Sequence, residues 1–192
     1  MENLQTRRKF LLGTVATMGS VAVVGVAVPF ISYLKPSAKA YVGAAPVEVD
    51  ITGLEMGRMM RKLWKGRPIF IVHRSKEMLE QLSAHEDLLA DSGSKNSTQP
   101  DKAEFKSKYR SLVPEFIVLL GVCTHLGCAP LYRPEIAPAD LGTDWYGGFY
   151  CPCHGSKFDL SGRVYKGVPA QINLEIPEYS IQSNKLIIGK SA

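Results

Sequence analysis

The chain has four cysteines and four histidines, and two short segments hold all of the first and half of the second. Cys123-Thr124-His125-Leu126-Gly127-Cys128 and Cys151-Pro152-Cys153-His154-Gly155-Ser156 each offer one closely spaced Cys/His pair, with another cysteine beside it. Thiolates and imidazoles are metal donors, so a fold that unites the two segments would assemble a site from distant parts of the sequence. Three chemistries use such a set. Zinc takes two cysteines and two histidines, but structural zinc loops space them as C-x2-4-C and H-x3-5-H, whereas each segment here supplies one of each. Two disulfides would consume all four cysteines and leave His125 and His154 as ordinary loop residues. The third is an iron–sulfur cluster with mixed ligation.

Matched Cys-x-His and Cys-x-x-His steps favour the third, because two histidines in place of two cysteines on one iron is the ligand set of a Rieske [2Fe-2S] centre. Each neutral imidazole that replaces a thiolate removes a negative charge, which eases electron uptake. Such centres lie at roughly −150 to +300 mV, against about −400 mV for all-cysteine plant-type clusters. The ring nitrogen not bound to iron also exchanges a proton, and holds it more tightly once the cluster is reduced.

The strings CTHLGC and CPCHGS, followed by Gly167-Val168-Pro169-Ala170, resemble the Rieske iron–sulfur subunits of cytochrome bc1 complexes, the ubiquinol:cytochrome c reductases. Carried over residue by residue, the resemblance implies that Cys123 and Cys151 bind the inner iron, and His125 and His154 the outer iron. It also implies that Cys128 and Cys153 form a disulfide between the loops, and that His154 and His125 face quinol and accept its proton. Around the cluster it places Leu126, Gly127, Ser156, Phe158, Gly167 and Pro169. Rieske ferredoxins and ring-hydroxylating oxygenases share the ligand pattern but lack the second cysteine pair. The implied cofactor is one [2Fe-2S] cluster. The implied partners are ubiquinol, cytochrome b, cytochrome c1 and the membrane, in a dimeric complex.

Thr6-Arg7-Arg8-Lys9-Phe10-Leu11-Leu12 reads as a twin-arginine export signal, a route for proteins that fold before export. Phe10 to Leu34 carries no charge, and 25 residues of helix reach about 38 Å, enough to cross a hydrocarbon core of roughly 30 Å. We therefore expect residues 1–9 in the cytoplasm, an uncleaved anchor over 10–34 and a Rieske head on the periplasmic side of a bacterial inner membrane. Ala38-Lys39-Ala40 resembles a signal-peptidase site, the alternative to an anchor. Five of the 23 basic residues but only one of the 18 acidic ones fall in the first 39, so the remainder is nearly neutral despite a net charge of +5. That excludes a nucleic-acid binder. Residues 35–46, small and bracketed by Pro36 and Pro46, read as a linker, and the resemblance makes them a hinge.

The soluble part, 47–192, predicts a mainly β fold: an antiparallel β-sandwich with a cluster-binding subdomain over about 123–170. Expected strands are Val47–Ile51, Pro68–Arg74, Glu115–Val122, Gly148–Tyr150, Arg163–Tyr165, Ile172–Ile176, Ser180–Gln182 and Lys185–Ile188. Ser75 to Leu82 predicts a short helix, extending toward Leu89, and Asp91 to Lys108 a mobile loop. His73 and His85 have no cysteine nearby and are expected in ordinary surface or core roles.

One residue departs from the family. A tyrosine often stands two positions after the serine of CPCHGS and donates to a cysteine sulfur; here it is Phe158. Losing a donor to sulfur lowers the potential. Two other readings are a cytochrome b6f subunit using plastoquinol, against which the long Leu131–Tyr146 insertion argues, and a redox sensor that does not act on quinol.

Overall fold

A computed structural model describes every residue except Met1, Ala38, Lys39, Tyr41, Ala44, Ser191 and Ala192. The chain divides into two compact units, residues 1–42 and 43–192.

In the first unit, α1 runs from Glu2 to Tyr33, so the charged residues ahead of Phe10 extend the helix rather than precede it. From Phe10 onward it is apolar on all sides, and by length and composition it can cross a membrane. Its hydroxyls do not stand alone: Thr14, Thr17, Ser20 and Ser32 donate to the carbonyls of Phe10, Gly13, Ala16 and Val28, one turn back. The expected hinge over 35–46 contains Ala38, Lys39, Tyr41 and Ala44, and the Ala38-Lys39-Ala40 motif contains two of these. Those positions lie outside the described residues.

The second unit holds three antiparallel sheets of three strands each. In the first, β1 (Val47–Asp50) pairs with β9 (Lys185–Ile188), and β9 turns back through Ser183-Asn184 from β8 (Tyr179–Gln182). Val49 points into the core while Glu48 and Asp50 face solvent, the alternation read in the sequence. The second sheet is β2 (Met59–Trp64), β3 (Arg67–His73) and β4 (Phe116–Leu120). β3 is central, which is why Ile69 to Val72 can be apolar without a break. β2 was not expected: it is an edge strand with Arg61, Lys62 and Leu63 in water, so it shows no buried period, and its charges discourage further pairing. The third sheet comprises β5 (Leu131–Arg133), β6 (Gly148–Cys151) and β7 (Ser156–Asp159). β7 was not among the expected strands, because its first residue closes the CPCHGS motif, and β5 was read as part of an insertion.

Two expected strands do not join a sheet. Val164 and Tyr165 make single bridges to Phe158 and Leu89. Along 172–176, the backbone bonds reach Gly162, Leu120 and Thr98 in turn, and three different partners give no ladder. α2 (Lys76–Gln81) starts where expected, with the Ser75 hydroxyl accepting from the Met78 N–H. The chain breaks after Leu82 and resumes as a single 3-10 turn over Glu86–Leu88. The stretch from Asp91 to Lys108 is irregular but anchored. The Asp91 carboxylate accepts from the N–H groups of Lys95 and Asn96 and from the Ser97 hydroxyl, and Phe105 is buried in the core.

Side chains from all three sheets meet in one core that includes Ile71, Leu119, Phe149, Phe158 and Leu186, and it reaches Cys123 and Cys151. Beneath β7 lies a second, polar centre that the sequence did not reveal. Arg74, Arg110, Arg163 and Asp159 are all buried. Arg74 donates to the Leu160 carbonyl and the Ser161 hydroxyl, and Arg110 to the carbonyls of Ser161, Gly162 and Leu174. Arg163 donates to the Leu82 carbonyl and, at 2.7 Å, to Asp159. These guanidinium groups fasten the irregular turn after β7 where no strand pairing does.

Asp159 also accepts from the N–H groups of Ser161 and Arg163 and lies 3.4 Å from His85 Nε2. Burial pushes its carboxyl up, but Arg163 and His85 outweigh that and hold it at about 2. A folded value below the unfolded one, about 3.9, means that Asp159 stabilises the fold above pH 4 or so and loses this contribution as pH falls toward 2. Asp159→Asn is expected to lose about 3–5 kcal/mol, since it strands buried guanidinium charge. Thermal melts should also fall less steeply with acid in this variant than in the wild type. Equal acid slopes would contradict the account.

Candidate metal centre

The two Cys/His segments are separate loops with one construction. The first follows β4; the second is the turn between β6 and β7. In each, a glycine four residues after the leading cysteine donates back to it: Gly127 N–H to the Cys123 carbonyl and Gly155 N–H to the Cys151 carbonyl, both at 2.9 Å. These glycines have φ of +85° and +77°, where a Cβ is disfavoured. The local signal for both turns is therefore C-x-x-x-G, which the ligand spacing had masked.

Each turn sends its leading cysteine inward and its histidine outward. Cys123 and Cys151 are free thiols, 3% and 2% exposed. His154 is exposed and His125 half-buried, with ring centres 4.8 Å apart and planes nearly perpendicular. The loops are joined by a Cys128–Cys153 disulfide with a Cα–Cα distance of 6.8 Å. The sulfurs of Cys128, Cys151 and Cys153 lie within 4.8 Å of one another. They do not form a three-cysteine metal site, because a disulfide sulfur has no thiolate to offer, and only Cys151 can act as a ligand.

A third segment closes the site. The Ala170 N–H donates to Ser156 Oγ at 3.1 Å, and Thr124 Oγ1 donates to the Ile172 carbonyl at 2.7 Å, so residues 170–172 are tied to both loops. Gly167 and Pro169 stand exposed on this side, and Leu126, 71% exposed, and Gly127 at the tip of the first loop. Phe158 is fully buried in β7, opposite Phe149. His73 bonds the Leu54 carbonyl and stacks on Phe116, and His85 lies between the rings of Tyr146 and Tyr165, so both take core-packing roles.

Burial pushes the Cys123 thiol up, and the neighbouring Cys151 adds to this, while the backbone at His125 and the Ser156 hydroxyl pull the other way. A thiol pushed up in this way gives up its proton more readily when a bound cation compensates the charge. Soft sulfur donors inside and imidazoles outside fit a [2Fe-2S] cluster bound through both kinds of ligand.

A model of the Rieske [2Fe-2S] domain matches residues 98–180, and one described as "Ubiquitinol-cytochrome C reductase Fe-S subunit TAT signal" matches residues 2–37. The ubiquinol-cytochrome c reductase iron-sulfur subunit of Allochromatium vinosum is 48% identical over 96% of this chain and 88% of its own. The chain belongs to the Rieske iron–sulfur subunits of ubiquinol-cytochrome c reductase. Other members of this Rieske family include the Bradyrhizobium diazoefficiens subunit, 40% identical over 96% of this chain and 94% of its own. The mitochondrial Rieske subunit of the cytochrome b-c1 complex of Saccharomyces cerevisiae is 33% identical over 94% and 74%. A solved chain titled "Hyperthermophilic respiratory Complex III" aligns with a TM-score of 0.48 and 25% identity, over 90% of this chain and 96% of that one. As a Rieske subunit, the protein carries a [2Fe-2S] cluster and is a membrane-anchored bacterial protein with a twin-arginine signal.

The Ser156 oxygen accepts from Ala170, which leaves its hydrogen free to face the Cys123 sulfur. Ser156→Ala removes that donor and orphans the buried Ala170 N–H, a loss of about 1–3 kcal/mol. The expected outcome is a lower reduction potential and a lower melting temperature, with iron still bound. An unchanged potential by redox titration would show that Ser156 does not donate to the Cys123 sulfur.

Proposed function

We propose that Cys123 and Cys151 hold one iron of the cluster and His125 and His154 the other. On this reading the head takes an electron and a proton from ubiquinol and hands the electron to cytochrome c1, in a dimeric complex with cytochrome b. The observation that carries this reading is the polarity of the site: buried thiols on the inner side, and two imidazoles, one exposed and one half-buried, with ring centres 4.8 Å apart on the outer side. When bound, the cluster supplies a one-electron acceptor at the raised potential that histidine ligation confers.

The chain's own residues do the rest. His154 presents its ring to solvent, where a quinol hydroxyl can donate to it and then give up its proton; His125 offers a second acceptor beside it. Leu126 adds an exposed apolar contact at the tip. The disulfide and the Thr124 and Ser156 ties hold the imidazole edge in place. A disulfide persists in an oxidising compartment, which supports a periplasmic head with the N-terminus of α1 in the cytoplasm. On this reading the head visits a quinol site and then cytochrome c1.

Purification through an affinity tag on this chain is expected to bring down b- and c-type haems and quinol-dependent cytochrome c reduction. A chain that purifies with its cluster but without haem or turnover would overturn this reading in favour of a redox sensor. Phe158→Tyr should raise the reduction potential by adding a donor near the ligand sulfur. A lowered or unchanged value would mean that the Phe158 ring does not face that sulfur.

A further inference from the structure

Cys151 belongs to two devices at once. It is a proposed iron ligand, and its free sulfur lies within 4.8 Å of both sulfurs of the Cys128–Cys153 disulfide. Thiol–disulfide exchange proceeds by attack of a thiolate on a disulfide sulfur within reach, and it requires no oxidant. Iron bound to Cys151 would occupy that sulfur, whereas the bare site leaves it beside its target.

We infer that the cluster-free chain carries out an intramolecular thiol–disulfide exchange that destroys its own ligand set. The Cys151 sulfur attacks the Cys128 sulfur. A Cys151–Cys128 bond forms, the Cys128–Cys153 bond breaks, and Cys153 leaves with the bonding electron pair and takes up the proton that Cys151 releases. One disulfide is exchanged for another, with no net oxidation.

The structure also assigns the direction. Cys153 is exposed, so the departing sulfur is stabilised by water, and a Cys151–Cys128 bridge still ties the two loops together. Attack on Cys153 would instead close a ring across Cys151-Pro152-Cys153, where the proline fixes the backbone of the single intervening residue. Exchange toward Cys128 shuts Cys151 away from iron. A chain that loses its cluster, or is oxidised before receiving one, then cannot be reloaded until a reductant reopens the bridge. This inference rests on the reading of Cys151 as a ligand.

The test compares two full-length variants in detergent. Cys123→Ser and Cys151→Ser each remove one proposed ligand, so neither retains the cluster, but only the first keeps the attacking sulfur. Each is held without reductant, free thiols are alkylated at intervals under denaturing conditions, and the bridges are identified by peptide mass spectrometry. In Cys123→Ser the Cys151–Cys128 bridge should replace Cys128–Cys153 within minutes to hours, the range of uncatalysed rearrangement, with Cys153 becoming alkylated. In Cys151→Ser the original bridge should persist. Wild-type protein stripped by a chelator starts folded and should follow Cys123→Ser, with dithiothreitol restoring cluster uptake; loaded wild type should not change. A stripped wild type that keeps Cys128–Cys153 with Cys151 alkylated would overturn the inference. Exchange in the loaded wild type would overturn the ligand reading of Cys151 instead.

Discussion

Asp159 and three buried guanidinium groups form the constraint on which the geometry of this head depends. The segment from Gly162 to Ile176 is tied to the cluster loops at Ala170 and Ile172, yet most of its backbone groups, like those of the turn after β7, belong to no ladder. Buried carbonyls without partners are costly, and Arg74 and Arg110 supply donors to those of Leu160, Ser161, Gly162 and Leu174. Three buried cations would in turn be untenable without Asp159, which Arg163 grips directly. The second ligand loop sits at the other end of the same short strand, from Ser156 to Asp159.

From that base the site follows from one turn used twice. A C-x-x-x-G turn buries its first residue and displays its middle ones, so two such turns facing each other make a pocket with thiols inside and imidazoles outside. The disulfide and the segment at Ala170–Ile172 fix the turns against each other. This arrangement separates labour by position. The Cys123 and Cys151 sulfurs are kept from water, where they would be open to oxidation, while the histidine edge remains reachable by a hydroxyl donor. The same closeness of sulfurs that makes the pocket compact is what exposes the cluster-free chain to rearrangement.

The site was more legible in the sequence than the frame that carries it. Four donors at distinctive spacing announce themselves, and the strings around them identify the family. Period-two alternation marked β1 and a continuous apolar run marked β3, because both report burial directly. Edge strand β2 has too few buried residues to show a period. Segments 163–165 and 172–176 have strand-like composition because they are buried, but their hydrogen bonds go to scattered partners, which no local pattern encodes. Arg74, Arg110 and Arg163 read as surface residues one at a time; only long-range contacts with Ser111, Leu174 and Leu82 reveal them as fasteners. His85, unremarkable beside Glu86 and Asp87 in the sequence, turns out to be buried and stacked with both Tyr146 and Tyr165.

The central claim is that two thiolates and two imidazoles share one binuclear iron cluster. Pulsed electron spin resonance on the reduced protein, with and without isotope-labelled histidine, tests it most directly when paired with iron and acid-labile sulfide analysis. Two histidine nitrogens should couple to the spin, with two irons and two sulfides per chain. Coupling to fewer than two histidines, or one zinc with no labile sulfide, would contradict it.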